Sequence, residues 1–263
     1  MTGGRVFPVR QHFGEDCMKL LNDIFLVCGP VYGSHQNVYA IRNRESITLI
    51  DTGKNEHDYG IICNTLQYWG LDRYPIKTVL LTHEHYEHSA NAWRFQKKGA
   101  IIVSTENAAK AISAGDDRVA AYAHAFMPPF KPVAVDRTVL DYENITVGDI
   151  LFTCVQTPGH CAGNAVYFAE INGRLVLFAG DTIIPQILCN KTRMGWTGAL
   201  DYDRNQVIES IEKLNRHPGK VDILLAGHGE LCLWNAQRMV HDALVQARLT
   251  LKHGAVSEPV SEV

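Results

Sequence analysis

Four apolar stretches of this chain each run straight into histidine or aspartate, and that repeated ending constrains the fold more than any other feature. KTVLLT (77–82) leads into His83-Glu84-His85-Tyr86-Glu87-His88, and LFTCVQ (151–156) leads into Thr157-Pro158-Gly159-His160. RLVLFAG (174–180) ends on Asp181, and DILLAG (222–227) ends on His228-Gly229. Short apolar runs bounded by turn residues read as buried strands. Ligand sites in layered α/β proteins form where such strands end. The glycines at these ends let the backbone turn sharply and approach a bound ion closely.

The remaining pattern mixes strands and helices without a Gly/Ser linker or low-complexity break. DIFLVC (23–28), NVYAIR (37–42) and SITLID (46–51) read as strands, the last two joined by the NRES turn as a hairpin. Residues 56–69 place Tyr59, Ile62, Cys63, Leu66 and Trp69 on one helical face. A short helix is expected from His88 to Phe95. AIIVS (100–104) is a strand ahead of an Ala-rich helical stretch, and 117–126 is helical up to the breaker Pro128-Pro129. AVYFAE (165–170) is a further strand. Helices fit 204–215, with Val207, Ile211 and Leu214 inward, and 231–252, with Trp234, Met239, Val240, Ala243, Leu244, Ala247 and Leu251 inward. Two mixed sheets with helices outside would bury this alternation as one α/β (α+β) domain over 1–263. Residues 105–136 form either a lid or substrate wall carrying Phe126, Met127, Pro128, Pro129 and Phe130, or an ordinary packed connection or homodimer contact. Residues 254–263 are expected to fray.

Composition excludes several classes. Twenty-five basic against 28 acidic residues give a net charge of −3, which argues against a nucleic-acid partner. No apolar run approaches the ~20 residues of a membrane span, and the first residues do not read as a secretory signal. The seven cysteines, Cys17, Cys28, Cys63, Cys154, Cys161, Cys189 and Cys232, are odd in number and lack CxxC spacing. Reduced thiols in a cytoplasmic protein are therefore expected. Cys161 reads as packing, although it adjoins His160.

The polar ends have the chemistry of a metal site. Imidazole and carboxylate are the usual ligands of zinc and other divalent first-row metals. His83 and His85 are two apart, so in an extended segment they point the same way and could grip one ion. His160 would complete three nitrogens. Glu87 and His88 lie where the chain bends into a helix and, with His228, could serve a second ion; Asp181 has two oxygens and could bridge both. Two metals about 3.5–4 Å apart would share a hydroxide at neutral pH. Five of the 12 histidines are thereby used. His12, His57, His124, His217, His241 and His253 are read as background. His35, in the loop GSHQN, could enter the site mouth as a donor.

The ordered set HxHxxH, GH, GD, GHG, preceded by NVYAIRNRESITLIDTG with its Asp51-Thr52-Gly53, resembles the metallo-β-lactamase superfamily over nearly the whole chain. The resemblance implies a four-layer αββα sandwich of two mixed sheets with metals at one edge. Carried over, it implies His83, His85 and His160 at metal site one. Site two would take His88 and His228, with Asp181 bridging. The family motif is HxHxDH, and Glu87 stands where it has Asp. The longer side chain leads us to expect weaker binding at the second site.

Within the superfamily, a bridging Asp181 is similar to the glyoxalase II-like and lactonase-like hydrolases. In the lactamases proper, a Cys or a different His usually occupies the second site. A flavo-diiron reductase would carry Glu in place of His85 and a flavodoxin domain, and a nuclease would carry an added RNA-binding segment. The chain after Gly229 is expected to be too short for a full glutathione-binding region. The resemblance thus implies a hydrolase of a small-molecule ester, thioester or lactone, with two divalent ions, zinc foremost and iron or manganese as alternatives. Asp181 and Glu87 would assist the leaving group, and Tyr86, His35 or Tyr202 would supply an oxyanion donor. Met194 and Trp196 would form an apolar substrate wall. The alternatives are a phosphodiesterase or nuclease, a β-lactam-hydrolysing enzyme, or a redox iron or non-catalytic relative.

Overall fold

The computed structural model describes residues 18–120 and 129–252. His12, Cys17, His124, Phe126, Met127, Pro128, His253 and the tail, for which expectations are given above, lie outside them. A first sheet runs in chain order: β1 (Met18–Lys19), β2 (Ile24–Cys28), β3 (Val38–Arg42), β4 (Ile47–Ile50), β5 (Ile76–Leu80), β6 (Ile101–Thr105) and β7 (Arg137–Val139). The expected hairpin joins β3 and β4, and Asn43 Oδ1 closes its turn by accepting from the Ser46 amide (2.9 Å) and hydroxyl (2.7 Å). From β4 onward the pairing is parallel, because helices α1 (Glu56–Tyr68), α2 (Tyr86–Ser89), α3 (Ala92–Gln96) and α4 (Glu106–Ala114) occupy the connections.

The second sheet uses β8 (Asn144–Val147), β9 (Ile150–Gln156), β10 (Ala165–Ile171), β11 (Arg174–Gly180) and β14 (Ile223–Ala226), in the order β14-β11-β10-β9-β8. Helices α5 (Arg204–Asn215) and α6 (Gln237–Lys252) cover it. A two-stranded ribbon, β12 (Ile184–Gln186) and β13 (Lys191–Arg193), follows Asp181.

Three apolar clusters make this the expected four-layer αββα sandwich. Tyr39, Ile41 and Leu80 of the first sheet meet Tyr167, Val176, Phe178 and Leu225 of the second. The alternate residues point outward: Val38, Ala40, Val79 and Leu81 against α1, α3 and α4, and Val166, Phe168, Leu177 and Leu224 against α5 and α6. The central strands read as unbroken apolar runs because both faces of each sheet are covered. Two buried tyrosines reach from this core to the strand ends. Tyr167 donates to the carbonyl of Leu81 (2.9 Å), and Tyr39 to that of Ala226 (2.6 Å). Each carbonyl lies two residues before a histidine of the polar edge.

Several expectations need correction. Helix α6 starts at Gln237 rather than 231, since β14 is an edge strand whose free backbone is met by Cys232, which exchanges two backbone bonds with Leu224 (2.8 and 3.0 Å). Trp234, expected inward, is 68% exposed. The helix expected over His88–Phe95 is two short turns, α2 and α3. Residues 117–119 form a 3-10 turn, and 121–128 are outside the described residues. His217, read as background, stacks on Phe168 with ring centres 4.0 Å apart. In the segment 105–136, Ala108, Ile112 and Val133 join the outer apolar layer, and Phe130 packs against it. No helix among the described residues is long and apolar enough to cross a membrane.

Candidate metal centre

The strand ends converge. His83 and His85 follow β5, His160 follows β9, Asp181 follows β11 and His228 follows β14, while Glu87 and His88 lie on α2. His85 Nδ1 lies 3.0 Å from His83 Nε2 and 3.0 Å from His160 Nε2. These three residues form one donor group; Glu87, His88, Asp181 and His228 form a second. In the second, His88 Nε2 is 3.2 Å from His228 Nε2, and Glu87 Oε1 is 3.9 Å from His228 Nε2. Glu87 therefore reaches the cluster despite its extra methylene. Asp181 stands between the groups: Oδ2 is 3.7 Å from His160 Nε2 and 3.4 Å from His228 Nε2, and Oδ1 is 3.6 Å from His88 Nε2.

The donor set fits divalent ions. A four-coordinate ion with bonds of about 2.0–2.1 Å to nitrogen holds its ligand atoms about 3.3 Å apart, close to the spacings in both groups. Asp181 Oδ1 is buried without a hydrogen-bond partner among the described residues, which a cation beside it would remedy. Backbone also makes room. A Cβ on Gly227 would lie 2.5 Å from Asp181 Oδ1 and 2.8 Å from His88 Cε1, so only glycine lets that strand end come so close.

The electrostatics separate the two groups. Burial, reinforced by neighbouring imidazoles, holds His83 and His85 well below the usual histidine range, and burial lowers His160 despite Asp181. Their nitrogen lone pairs are thus free to bind. Burial acts the same way on His88, but the carboxylates of Asp181 and Asp51 outweigh it and raise that imidazole to about 9. Asp181 likewise raises His228 against its burial. In turn, His228 and His88 hold Asp181 well below the carboxylate range although burial would raise it.

Outer contacts orient the rings, as is usual around metal-binding histidines. His83 Nδ1 meets Thr82 Oγ1 at 3.0 Å, and His160 Nδ1 meets the carbonyl of Trp196 at 3.0 Å. His228 Nδ1 meets the carbonyl of His35 at 3.0 Å. The loop bearing that carbonyl is anchored on buried Asp58, which accepts from Ser34 Oγ (2.9 Å) and from Gln36 Nε2. His88 Nδ1 meets Asp51 Oδ2 at 2.8 Å, and Thr52 donates to the His88 carbonyl through both its amide and hydroxyl (2.8 Å each). Sequence reasoning noted Asp51 and Thr52 only as a motif and assigned them no contact. A signal was present, because strand 46–51 also ends in a carboxylate.

The expected oxyanion donors fare differently. His35 is exposed beside His228. Tyr86 is buried, with its ring 6.4 Å from that of Phe130. Tyr202 is half-buried and, with Met194, lines a small cavity next to His160 and Asp181. Trp196 enters the site through its carbonyl. Cys161 is no ligand: its thiol donates to Glu84 Oε2 at 3.2 Å.

Comparison with known proteins agrees with this geometry. Residues 31–228 match the model of the family described as "Metallo-beta-lactamase superfamily". A hydroxyacylglutathione hydrolase of Rhodospirillum rubrum is 28% identical over 157 residues, 59% of this chain and 49% of that protein. The namesake of Idiomarina loihiensis is 22% identical over 187 residues, 70% of this chain and 57% of that protein. The chain thus spans about half the length of the curated relatives it matches. Among solved structures, a metallo-β-lactamase of Cronobacter sakazakii superposes with a TM-score of 0.70 at 17% identity, covering 89% of this chain and 95% of that one. BJP-1, a subclass B3 metallo-β-lactamase of Bradyrhizobium japonicum, gives 0.67 at 20% identity, covering 90% and 91%. At such identities this likeness shows the fold.

Proposed function

The chain belongs to the metallo-β-lactamase superfamily, and on that premise we propose that it is a dinuclear metal-dependent hydrolase of a small-molecule ester, thioester or lactone. One observation carries the reading: the Asp181 carboxylate lies within 3.7 Å of nitrogens from both donor groups, so one side chain can serve two ions. His83, His85 and His160 would hold the first ion, and Glu87, His88 and His228 the second. Two divalent ions, zinc by preference, would supply Lewis acidity toward an acyl oxygen and acidify a shared water.

The chain's own residues do the rest. Asp51, Thr82 and the carbonyls of Trp196 and His35 fix which nitrogen each ring presents to the site. His35, exposed at the mouth, is the donor for charge developing on the substrate. Glu87 would hold the second ion through one carboxylate oxygen, and the other would carry the proton of the attacking water to the departing group. Tyr86 spends its ring on Phe130. The second ion binds more weakly than the first, because Glu87 stands where the family has Asp and its Oε1 lies 3.9 Å from His228 Nε2, wider than the 3.0 Å spacings of the first group. The free thiols of Cys28, Cys63, Cys154, Cys161 and Cys232 support a cytoplasmic setting. The hydroxyacylglutathione hydrolases among the relatives support the thioester arm.

Elemental analysis of the purified protein, with a panel of lactone, thioester, β-lactam and phosphodiester substrates, tests this reading. His85→Ala and Asp181→Ala should abolish hydrolysis while leaving the thermal unfolding transition cooperative. Full activity in either variant would refute the metal mechanism, and turnover of phosphodiesters or β-lactams alone would replace the substrate class.

A further inference from the structure

Glu84 is the one acidic residue of the HEHYEH run that joins neither donor group. It sits between two ligands, and strand-like alternation turns its side chain away from theirs. It is fully buried, and no cation among the described residues forms an ion pair with it. Instead it spans to the loop carrying His160. Oε2 accepts from the Cys161 thiol (3.2 Å), and Oε1 accepts from the Gly163 amide (3.2 Å). The fit leaves no slack, since a Cβ on Gly163 would collide with Glu84 Oε2 and with the backbone of Ala108.

The same loop is gripped from its other sides. Asp201 Oδ2 accepts from the Ala162 amide (2.9 Å), Thr105 Oγ1 donates to the Gly163 carbonyl (2.7 Å), and Asn107 Nδ2 donates to the Ala162 carbonyl (3.2 Å). Among these grips, Glu84 alone belongs to the β5 loop that carries His83 and His85. Its bonds therefore couple the two loops that must come into register for His83, His85 and His160 to meet within 3.0 Å. The second group takes no ligand from the His160 loop, so this coupling acts on one group and not the other.

We infer that Glu84 is a positioning residue for the three-imidazole site, setting its affinity through the bonds to Cys161 and Gly163. The inference rests on the reading that His83, His85 and His160 hold an ion. Orienting partners around metal ligands are typically worth 10–100-fold in affinity, and Glu84 should fall in that range.

The test is titration of the metal-free full chain with Zn²⁺ and with Co²⁺ alone, resolving two binding steps. The step lost in His85→Ala identifies the three-imidazole site. Glu84→Leu keeps the buried volume and removes both bonds; it should weaken that step 10–100-fold, alter its cobalt absorption, and leave the other step within about threefold. Glu84→Gln keeps an acceptor for the Gly163 amide and should restore most of the loss. If Glu84→Leu does not fold, Cys161→Ala removes one of the two bonds and should produce a smaller weakening of the same step alone. Equal weakening of both steps, or none in Glu84→Leu or Cys161→Ala, would overturn the positioning role while leaving the dinuclear reading intact. A wild-type chain that takes up no ion would overturn both.

Discussion

Replacing Asp51 by Asn isolates the support behind His88. The carboxylate is 1% exposed and accepts from the Thr82 amide (2.8 Å), the Thr82 hydroxyl (2.9 Å) and His88 Nδ1 (2.8 Å). Asn has the same shape, and Asp51 sits at φ 62°, a conformation Asn tolerates about as well. The backbone should therefore stay in place. The amide can keep its oxygen on the Thr82 N–H, but its nitrogen then faces His88 Nδ1. Two donors cannot share that contact, so the imidazole must move its proton to Nε2, the atom 3.2 Å from His228 Nε2 in the second donor group. A protonated Nε2 cannot ligate. Disturbing such a partner typically costs 10–100-fold in metal affinity, about 1.4–2.8 kcal/mol. A Zn²⁺ titration against a competing chelator should show the second step weakened by that factor. The first step should be unchanged, because the Thr82 hydroxyl that supports His83 Nδ1 also reaches Asp51 Oδ1 (3.1 Å) and can keep that oxygen, which Asn retains, as its acceptor. A second step of wild-type affinity in Asp51→Asn would refute the reasoning.

Other sites make different demands. Glu87→Ala removes a donor from the second group alone, so the second ion should bind roughly 10-fold or more weakly and the first as before; two equally affected steps in the same titration would contradict that. Tyr39→Phe deletes the bond to the Ala226 carbonyl, which still accepts from Asn37 Nδ2 at 3.0 Å. The cost should be about 1 kcal/mol, a fall of about 2–4 °C in Tm, and calorimetry showing no change would count against the contact. Asp23 is raised by burial, but bonds from Asn172 and Arg42 outweigh this and hold it below the ordinary carboxylate value of 3.8. Its contribution is present above that value and is lost as pH falls through the lowered one. Asp23→Asn should therefore flatten the acid limb of the Tm profile, and a superimposable limb would sink the assignment.

Much of the site was legible because metal chemistry restricts residue type. Only a few side chains bind divalent ions, and here each stood at the end of an apolar run, so position and chemistry pointed the same way. The supporting groups were not legible for an equally physical reason. The carbonyls of Trp196 and His35 are backbone, which every residue carries. Thr82, Asp58 and Glu84 are ordinary residue types; the partners of Asp58 and Glu84 lie far away in the chain, and nothing local marks the Thr82 hydroxyl as the support of the next residue's ring. The short strands β7, β8, β12 and β13 carry too few residues to establish a period. Trp234 was misplaced because helical spacing cannot report that an unpaired strand edge lies nearby.

By itself, the sequence determined the alternation of strands and helices, the apolar faces that make four layers, and the seven side chains of the two donor groups. Those follow from local hydrophobic period and from side-chain chemistry, both properties of neighbours in the chain. Only the tertiary structure decided that Glu87 reaches the second group, that Asp181 stands between the two, that Asp51 orients His88, and that Glu84 ties the His85 loop to the His160 loop. Each of these depends on a distance between residues brought together by packing, and such a distance is set by the sum of the core contacts.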